Sequence, residues 1–153
     1  MKRLRNSAKA VVLRDGRLLA LQKKDAHGVY YVLPGGGQRP GETLRQALQR
    51  ECLEEIGAAI EVGVLRFVRE YIGRHHEFAD LHRKRHQVEF IFEAHLRGDD
   101  APAKGEDPDR RQIGLEWIPL DRIEQYPLYP AVLKDLLQAE PGGESPVYLG
   151  DVN

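Results

Sequence analysis

Three glutamates, Glu51, Glu54 and Glu55, crowd the run RECLEEIG at residues 50–57, just downstream of the glycine-rich stretch PGGGQRPG at 34–41. Carboxylates gathered this closely offer hard oxygen ligands, which select Mg²⁺ or Mn²⁺ over softer metals. Mg²⁺ prefers a few carboxylates together with waters and substrate phosphates. Exposed backbone in a glycine loop ahead of a helix can approach a phosphate or a metal closely. The chemistry these residues suggest is a metal-dependent reaction at a phosphate ester or anhydride.

The segment that carries the glutamates reads as a helix from Thr43 to Ile56. Thr43 and Gln46 form a capping-box pattern, and Gly57 supplies a stop. At about 100° per residue, Leu44, Ala47, Leu48, Cys52 and Ile56 make one apolar stripe. Glu51 and Glu55 fall inside that stripe and Glu54 lies at its edge. A carboxylate facing a core requires pairing, protonation or a metal. The helix dipole also disfavours acids in the last turns. A solvated acidic face is the competing explanation, but Arg50–Glu54 is the one i,i+4 pair it offers, and one pair does not neutralise three carboxylates.

Other elements must hold this helix. Ala8–Leu13 and Leu18–Leu21 are apolar runs around Asp15-Gly16, which predicts a hairpin with a type I′ turn. Val29–Leu33 reads as a strand ending at Pro34, and 34–41 as a loop outside any regular element. Ile60–Tyr71 reads as a strand or a bent pair, Gln87–Leu96 and Ile113–Ile118 as strands, and Pro130–Ala139 as a closing helix. A long polar loop spans 97–111, and loops of that length are often functional. The order predicts an α+β fold with a mixed sheet. One domain over 1–139 and a loosely ordered tail over 140–153 complete the expected organisation.

Composition narrows the class. A chain of 153 residues suits a single domain and can bury about 70% of its unfolded surface without a disulfide or metal staple. Lys and Arg number 23, Asp and Glu 24, and the formal net charge is −1, which argues against a broadly basic nucleic-acid-coating protein. The single cysteine, Cys52, excludes an intrachain disulfide framework and fits a reducing compartment, so a cytoplasmic location is expected. No apolar run approaches the ~18 residues of a membrane span, and no secretory signal is expected. Cys52, on the apolar side of the helix without a base beside it, reads as packing rather than a nucleophile.

The spacing of the charged residues resembles a known family. Gly36, five residues, Glu42, seven residues, then Arg50-Glu51-Cys52-Leu53-Glu54-Glu55-Ile56-Gly57-Ala58 matches the Nudix box at every charged and glycine position. The preceding Leu33–Gly36 (LPGG) resembles the family's usual lead-in. The resemblance implies an α/β/α sandwich with a mixed, partly curled sheet. It implies hydrolysis of a nucleoside diphosphate linked to another moiety, through a metal-activated water. Glu51, Glu54 and Glu55 would bind Mg²⁺ (or Mn²⁺), with a carbonyl of Gly35 or Gly36 as a further ligand. Arg50 would orient a glutamate, and Glu42 would support the loop-to-helix geometry near the substrate. The general base would be Glu54 or an acid of the long loop, Glu106 or Asp107. Cys52 and Ala58 stand where the family usually has bulky aliphatics. Arg39 stands at a loop position that is often acidic, and Tyr31 where many members carry Trp. Both are expected near the substrate.

Outside the box, 74–86 (RHHEFADLHRKRH) holds four of the six histidines. Arg83 and Arg85, with Lys84, could receive substrate phosphates; a zinc site fits the spacing poorly, and an ordinary solvated loop is the plain alternative. Tyr30, Tyr31 and Trp117 could stack on a base, although strand aromatics are more often core. Glu89 and Glu93 share a strand face and could reach a metal if that face is the active-site side. The expected partner is a small nucleotide, without membrane or nucleic acid. Homodimers are common in the family, but no interface is identified. A non-catalytic nucleotide sensor and an RNA 5′-end pyrophosphohydrolase are the alternatives. The sensor is disfavoured because the box glutamates are all present.

Overall fold

The structure is a computed structural model that describes residues 3–98, 101–139 and 145–153. Strand alternation divides its side chains between two cores. In β1 (Arg5–Val11) and the residue after it, Ala8, Ala10 and Val12 face one core while Val11 faces the other. In β3 (Arg17–Asp25), Leu19 and Leu21 join the first, and Leu18 and Ala20 the second. The period of two is the physical cause. Helix α1 (Leu44–Ile56) covers the first core with Leu48, Cys52 and Ile56. Helix α2 (Val132–Gln138) covers the second with Leu133. The result is the expected α/β/α sandwich.

One sheet runs in the order β10 (Tyr148–Asp151), β6 (Ile60–Ile72), β7 (His86–Leu96), β1 and β5 (Gly35–Gly37). The other runs β2 (Leu13–Arg14), β3, β4 (Gly28–Val32) and β9 (Leu128–Tyr129), with β8 (Gln112–Pro119) on the free side of β3. Both sheets are mixed: β1 lies parallel to β7, β10 to β6 and β9 to β4. Ile60–Ile72 is one continuous strand, the first of the two expected forms, and register shifts between Val62 and Phe67 interrupt its regular pairing with β7. The β2–β3 hairpin turns at Asp15 and Gly16, both at positive φ.

Two expectations are corrected. The glycine-rich stretch is not wholly irregular, because Gly35–Gly37 pairs antiparallel with β1. It can do so because it lacks side chains. At Gly35, φ is 130° and a Cβ would lie 2.0 Å from the Ala8 carbonyl oxygen. The second correction concerns the tail. Within it, Tyr148–Asp151 forms β10 against β6, while residues 140–144 lie outside the described residues. Polar groups anchor this strand. Asp151 accepts hydrogen bonds from the Ile72 N–H (2.9 Å) and faces His75 (2.8 Å) and His76 (2.6 Å). These pairings hold its carboxyl at about 2, below the ordinary range even though burial acts to raise it. A histidine-rich segment in one place and an acid in another gave no cue to this pairing.

Helix α1 begins as its sequence requires. The Thr43 hydroxyl accepts from the Gln46 N–H at 3.1 Å, and the Gln46 side chain accepts from the Thr43 N–H at 2.8 Å. Thr43→Ala is expected to cost about 1 kcal/mol, read as a lower urea midpoint at unchanged slope. An unchanged midpoint would mean the cap contributes nothing.

Candidate active site

Arg50 organises the glutamates. Its guanidinium donates to both oxygens of Glu42 (2.7 and 3.1 Å), to Glu51 (3.0 Å), to Glu54 (3.5 Å) and to the Gly37 carbonyl (2.9 Å). A planar fork of five donors suits this role better than a lysine would. The Arg50 bond and the Arg39 N–H hold the Glu42 carboxyl down at about 2. Glu42 is thereby a brace between loop and helix.

Glu55 is different. It is 2% exposed, and its Oε1 accepts from the Gly35 N–H at 2.8 Å. Burial pushes its carboxyl up to about 7, with Lys9 and the Gly35 bond opposing. The helical-wheel placement of Glu55 on the core side is therefore realised. Gly36 lies directly against Glu51, where a Cβ would stand 2.6 Å from the carboxylate carbon. Lys9 Nζ donates to the Gly35 carbonyl at 3.2 Å. Cys52 is fully buried, and burial raises its thiol well above the ordinary range, so it packs and does not react.

Among the described residues, no three Asp, Glu, His or Cys side chains stand close enough together to share a metal ion. Arg50 holds Glu51 and Glu54 while Gly35 holds Glu55. A cation and Arg50 would therefore compete for the first two.

The long polar loop serves the helix end. The N–H groups of Ala103, Gly105 and Asp107 donate to the carbonyls of Ile56, Glu55 and Glu54 (3.0, 3.1 and 3.3 Å). These are carbonyls a helix terminus leaves unpaired. The side chains of Glu106 and Asp107 are exposed.

A cleft of about 510 Å³ opens beside Gly35, Gly36 and Glu51. Among the described residues, eight cationic side chains line it, Arg3, Arg5, Lys9, Lys23, Lys84, Arg85, Arg110 and Arg111, against three acids, Glu51, Glu89 and Asp109. Lys23 and Asp109 pair at 2.7 Å. Arg85, expected as a phosphate contact, is on this wall; Arg83 is exposed and is not. Arg39 is also exposed and off the cleft wall. Tyr31 is corrected: it packs on the second core, edge-on to Tyr126 at 5.5 Å. Strand alternation puts Tyr30 in the cleft instead. Trp117 packs against the first core under Arg14. Glu89 is buried on the cleft wall and bonded to Arg69 at 2.6 Å, whereas Glu93 pairs with Arg66 at the surface. Lys9 was missed because it sits within the Ala8–Leu13 run that reads as core, and Lys23 because it lies beyond the Leu18–Leu21 run. For Lys9 the available signal is its place between Ala8 and Ala10, which alternate with it.

A family model described as the NUDIX domain matches residues 3–139. The chain belongs to the Nudix hydrolase family. A MutT NUDIX hydrolase from Burkholderia pseudomallei is 31% identical, with 91% of this chain and 100% of that one covered at a TM-score of 0.70. A NUDIX hydrolase from Nitrosomonas europaea is 21% identical and shares the fold at a TM-score of 0.72, over 100% of this chain and 81% of that one. The curated relative "Nucleoside triphosphatase NudI" of Enterobacter sp. (strain 638) is 36% identical over 55 residues, 34% of this chain and 39% of that protein. This match thus spans well under half of the curated relative. No helix of this Nudix protein is long and apolar enough to cross a membrane, among the described residues.

Proposed function

We propose that this Nudix protein hydrolyses a nucleoside diphosphate linked to a further group, with Mg²⁺ (or Mn²⁺) as cofactor and a nucleoside triphosphate as the favoured form. The observation that carries this reading is the cleft at Glu51, where among the described residues eight cations face three acids. Such an excess suits a chain of phosphates better than a neutral or singly charged ligand. The triphosphatase name of the partial relatives points the same way.

The oxygen donors Glu51, Glu54, Glu55 and a glycine carbonyl are of the hard type a divalent ion takes, and Glu51 and Glu54 would leave Arg50 to converge on one. Gly36 is the better carbonyl, since it abuts Glu51 while the Gly35 carbonyl already accepts from Lys9. When bound, such an ion acidifies a water and offsets charge on the phosphates. Lys9, Lys23, Arg85 and Arg111 hold the phosphates. Arg50, fixed by Glu42, orients Glu51 and Glu54. Glu54 takes the proton of the attacking water. The new phosphorus–oxygen bond forms as the anhydride bond to the leaving phosphate breaks. Cys52, buried and inert, is consistent with the reducing, cytoplasmic setting proposed from cysteine usage.

The test is a screen with Mg²⁺ of nucleoside triphosphates, ADP-ribose, nucleotide sugars, dinucleoside polyphosphates and triphosphorylated RNA, reading products as well as rates. Triphosphates are expected to turn over fastest. Tight nucleotide binding by calorimetry without any product would support the sensor reading instead. Preferential release from RNA ends would support the RNA enzyme.

A further inference from the structure

The cationic cleft continues inward to a smaller cavity of about 110 Å³, and Lys9, Lys23, Tyr30, Arg85, Gln87 and Glu89 line both. Its walls are aromatic. Phe78 meets Tyr129 edge-on at 4.9 Å, Tyr30 meets Tyr129 at 6.4 Å, and Tyr71 meets the His82 ring at 5.7 Å. Phe78 and His82 come from the His- and Arg-rich stretch between β6 and β7, whose His75 and His76 anchor β10. The last wall is Asn153, brought there by β10.

Two buried side-chain polar atoms lack a partner among the described residues: His82 Nε2 and Asn153 Nδ2. Both residues line this one cavity. Buried polar groups are nearly always satisfied, so two exceptions at one place call for an explanation.

Asn153 Nδ2 is a donor, and His82 Nε2 is one in the tautomer whose Nδ1 accepts from Tyr71. The Tyr71 hydroxyl is buried, and His82 Nδ1 is its one partner among the described residues, at 2.7 Å. Donation of the hydroxyl hydrogen to Nδ1 leaves the ring hydrogen on Nε2. Burial, with Arg85 nearby, lowers His82 to about 4, so the ring is neutral near pH 7. Arg69 donates to Asn153 Oδ1 at 3.4 Å and fixes the amide with Nδ2 as the unpaired end. The acidic groups of the cavity are partly engaged already: Glu89 accepts from Arg69, and one Asp25 oxygen from the His27 N–H. An aromatic-walled cavity with two unmatched donors suits a flat ring that carries acceptors on its edge.

We propose that this cavity takes the nucleobase and selects bases with a carbonyl edge over those with an exocyclic amine, through His82 Nε2–H and Asn153 Nδ2–H. The proposal rests on the nucleotide reading above. It makes the histidine-rich stretch and β10 specificity elements, remote from the box.

Calorimetry on the full chain with nucleoside monophosphates tests it without turnover. UMP against CMP, and IMP against AMP, differ chiefly in a carbonyl exchanged for an amine. The carbonyl member is expected to bind about tenfold tighter, a difference of ~1.4 kcal/mol. In His82→Phe, which keeps a ring, and in Asn153→Leu, the ratio should fall toward one, with thermal melts confirming a folded protein. Equal affinities in the wild type, an amine preference, or a ratio retained in both variants would overturn the proposal while leaving the nucleotide reading standing. Absence of binding by every nucleotide, together with absence of triphosphate hydrolysis, would defeat that underlying reading as well.

Discussion

Glu54→Gln and Glu55→Gln are each expected to lower kcat for Mg²⁺-supported hydrolysis by on the order of 10²–10⁴-fold. The two variants should differ in stability. Glu54 is partly exposed and bonded to Arg50 at 3.5 Å, so its amide should change stability little. Glu55 is 2% exposed, and its burial disfavours the charged form. Glutamine keeps the shape, and its carbonyl oxygen can still accept from the Gly35 N–H. It also removes a charge that is costly to bury. Glu55→Gln should therefore melt no lower than the wild type while losing activity. Loss of activity with retained stability separates a reaction centre from a folding element. Hydrolysis at the wild-type rate in both variants would remove the carboxylate cluster from the mechanism.

The sequence made the box helix legible because several local rules agree there. Thr43 and Gln46 cap it, Gly57 ends it at φ 62°, and the apolar stripe matches the buried face. Glu55 could be placed on the core side by angle alone. Other parts of the site depend on contacts between distant residues. The Gly35–Gly37 strand looks like a breaker until β1 is beside it, since close approach is a property of the pair. Tyr30 and Tyr31 are indistinguishable in sequence; a one-residue change of phase decides which enters the cleft. The link between His75, His76 and Asp151 spans about half the chain, and no local periodicity reports it. The opposed charge concentrations at 51–55 and 74–86 were visible. The cations that actually line the cleft come largely from elsewhere, among them Lys9, Lys23, Arg110 and Arg111.

Arg69→Met is expected to cost about 3–5 kcal/mol, the range for stranding one member of a buried ion pair. Arg69 and Glu89 are each 6% exposed in their side chains and meet at 2.6 Å between β6 and β7. Burial alone would raise the Glu89 carboxyl, but Arg69 and Lys9 hold it below its ordinary value. In the wild type this pairing therefore stabilises the fold above the ordinary carboxylate range, and the benefit is lost as pH falls through the lowered value. Without Arg69 the sign reverses. Burial then raises Glu89, the folded state binds the proton more tightly than the unfolded one, and stability drops as pH rises. The gap between wild type and Arg69→Met in urea midpoints should thus widen from acid toward neutral pH. Adding Glu89→Leu should recover much of the loss, because it removes the stranded charge. Recovery should remain incomplete, since Arg69 also donates to the Val152 carbonyl at 2.6 Å and packs over Tyr71. The Val152 bond belongs to the β10 anchor, which no substitution at 89 restores. A double variant as unstable as Arg69→Met would place the cost in that anchor rather than in the buried charge.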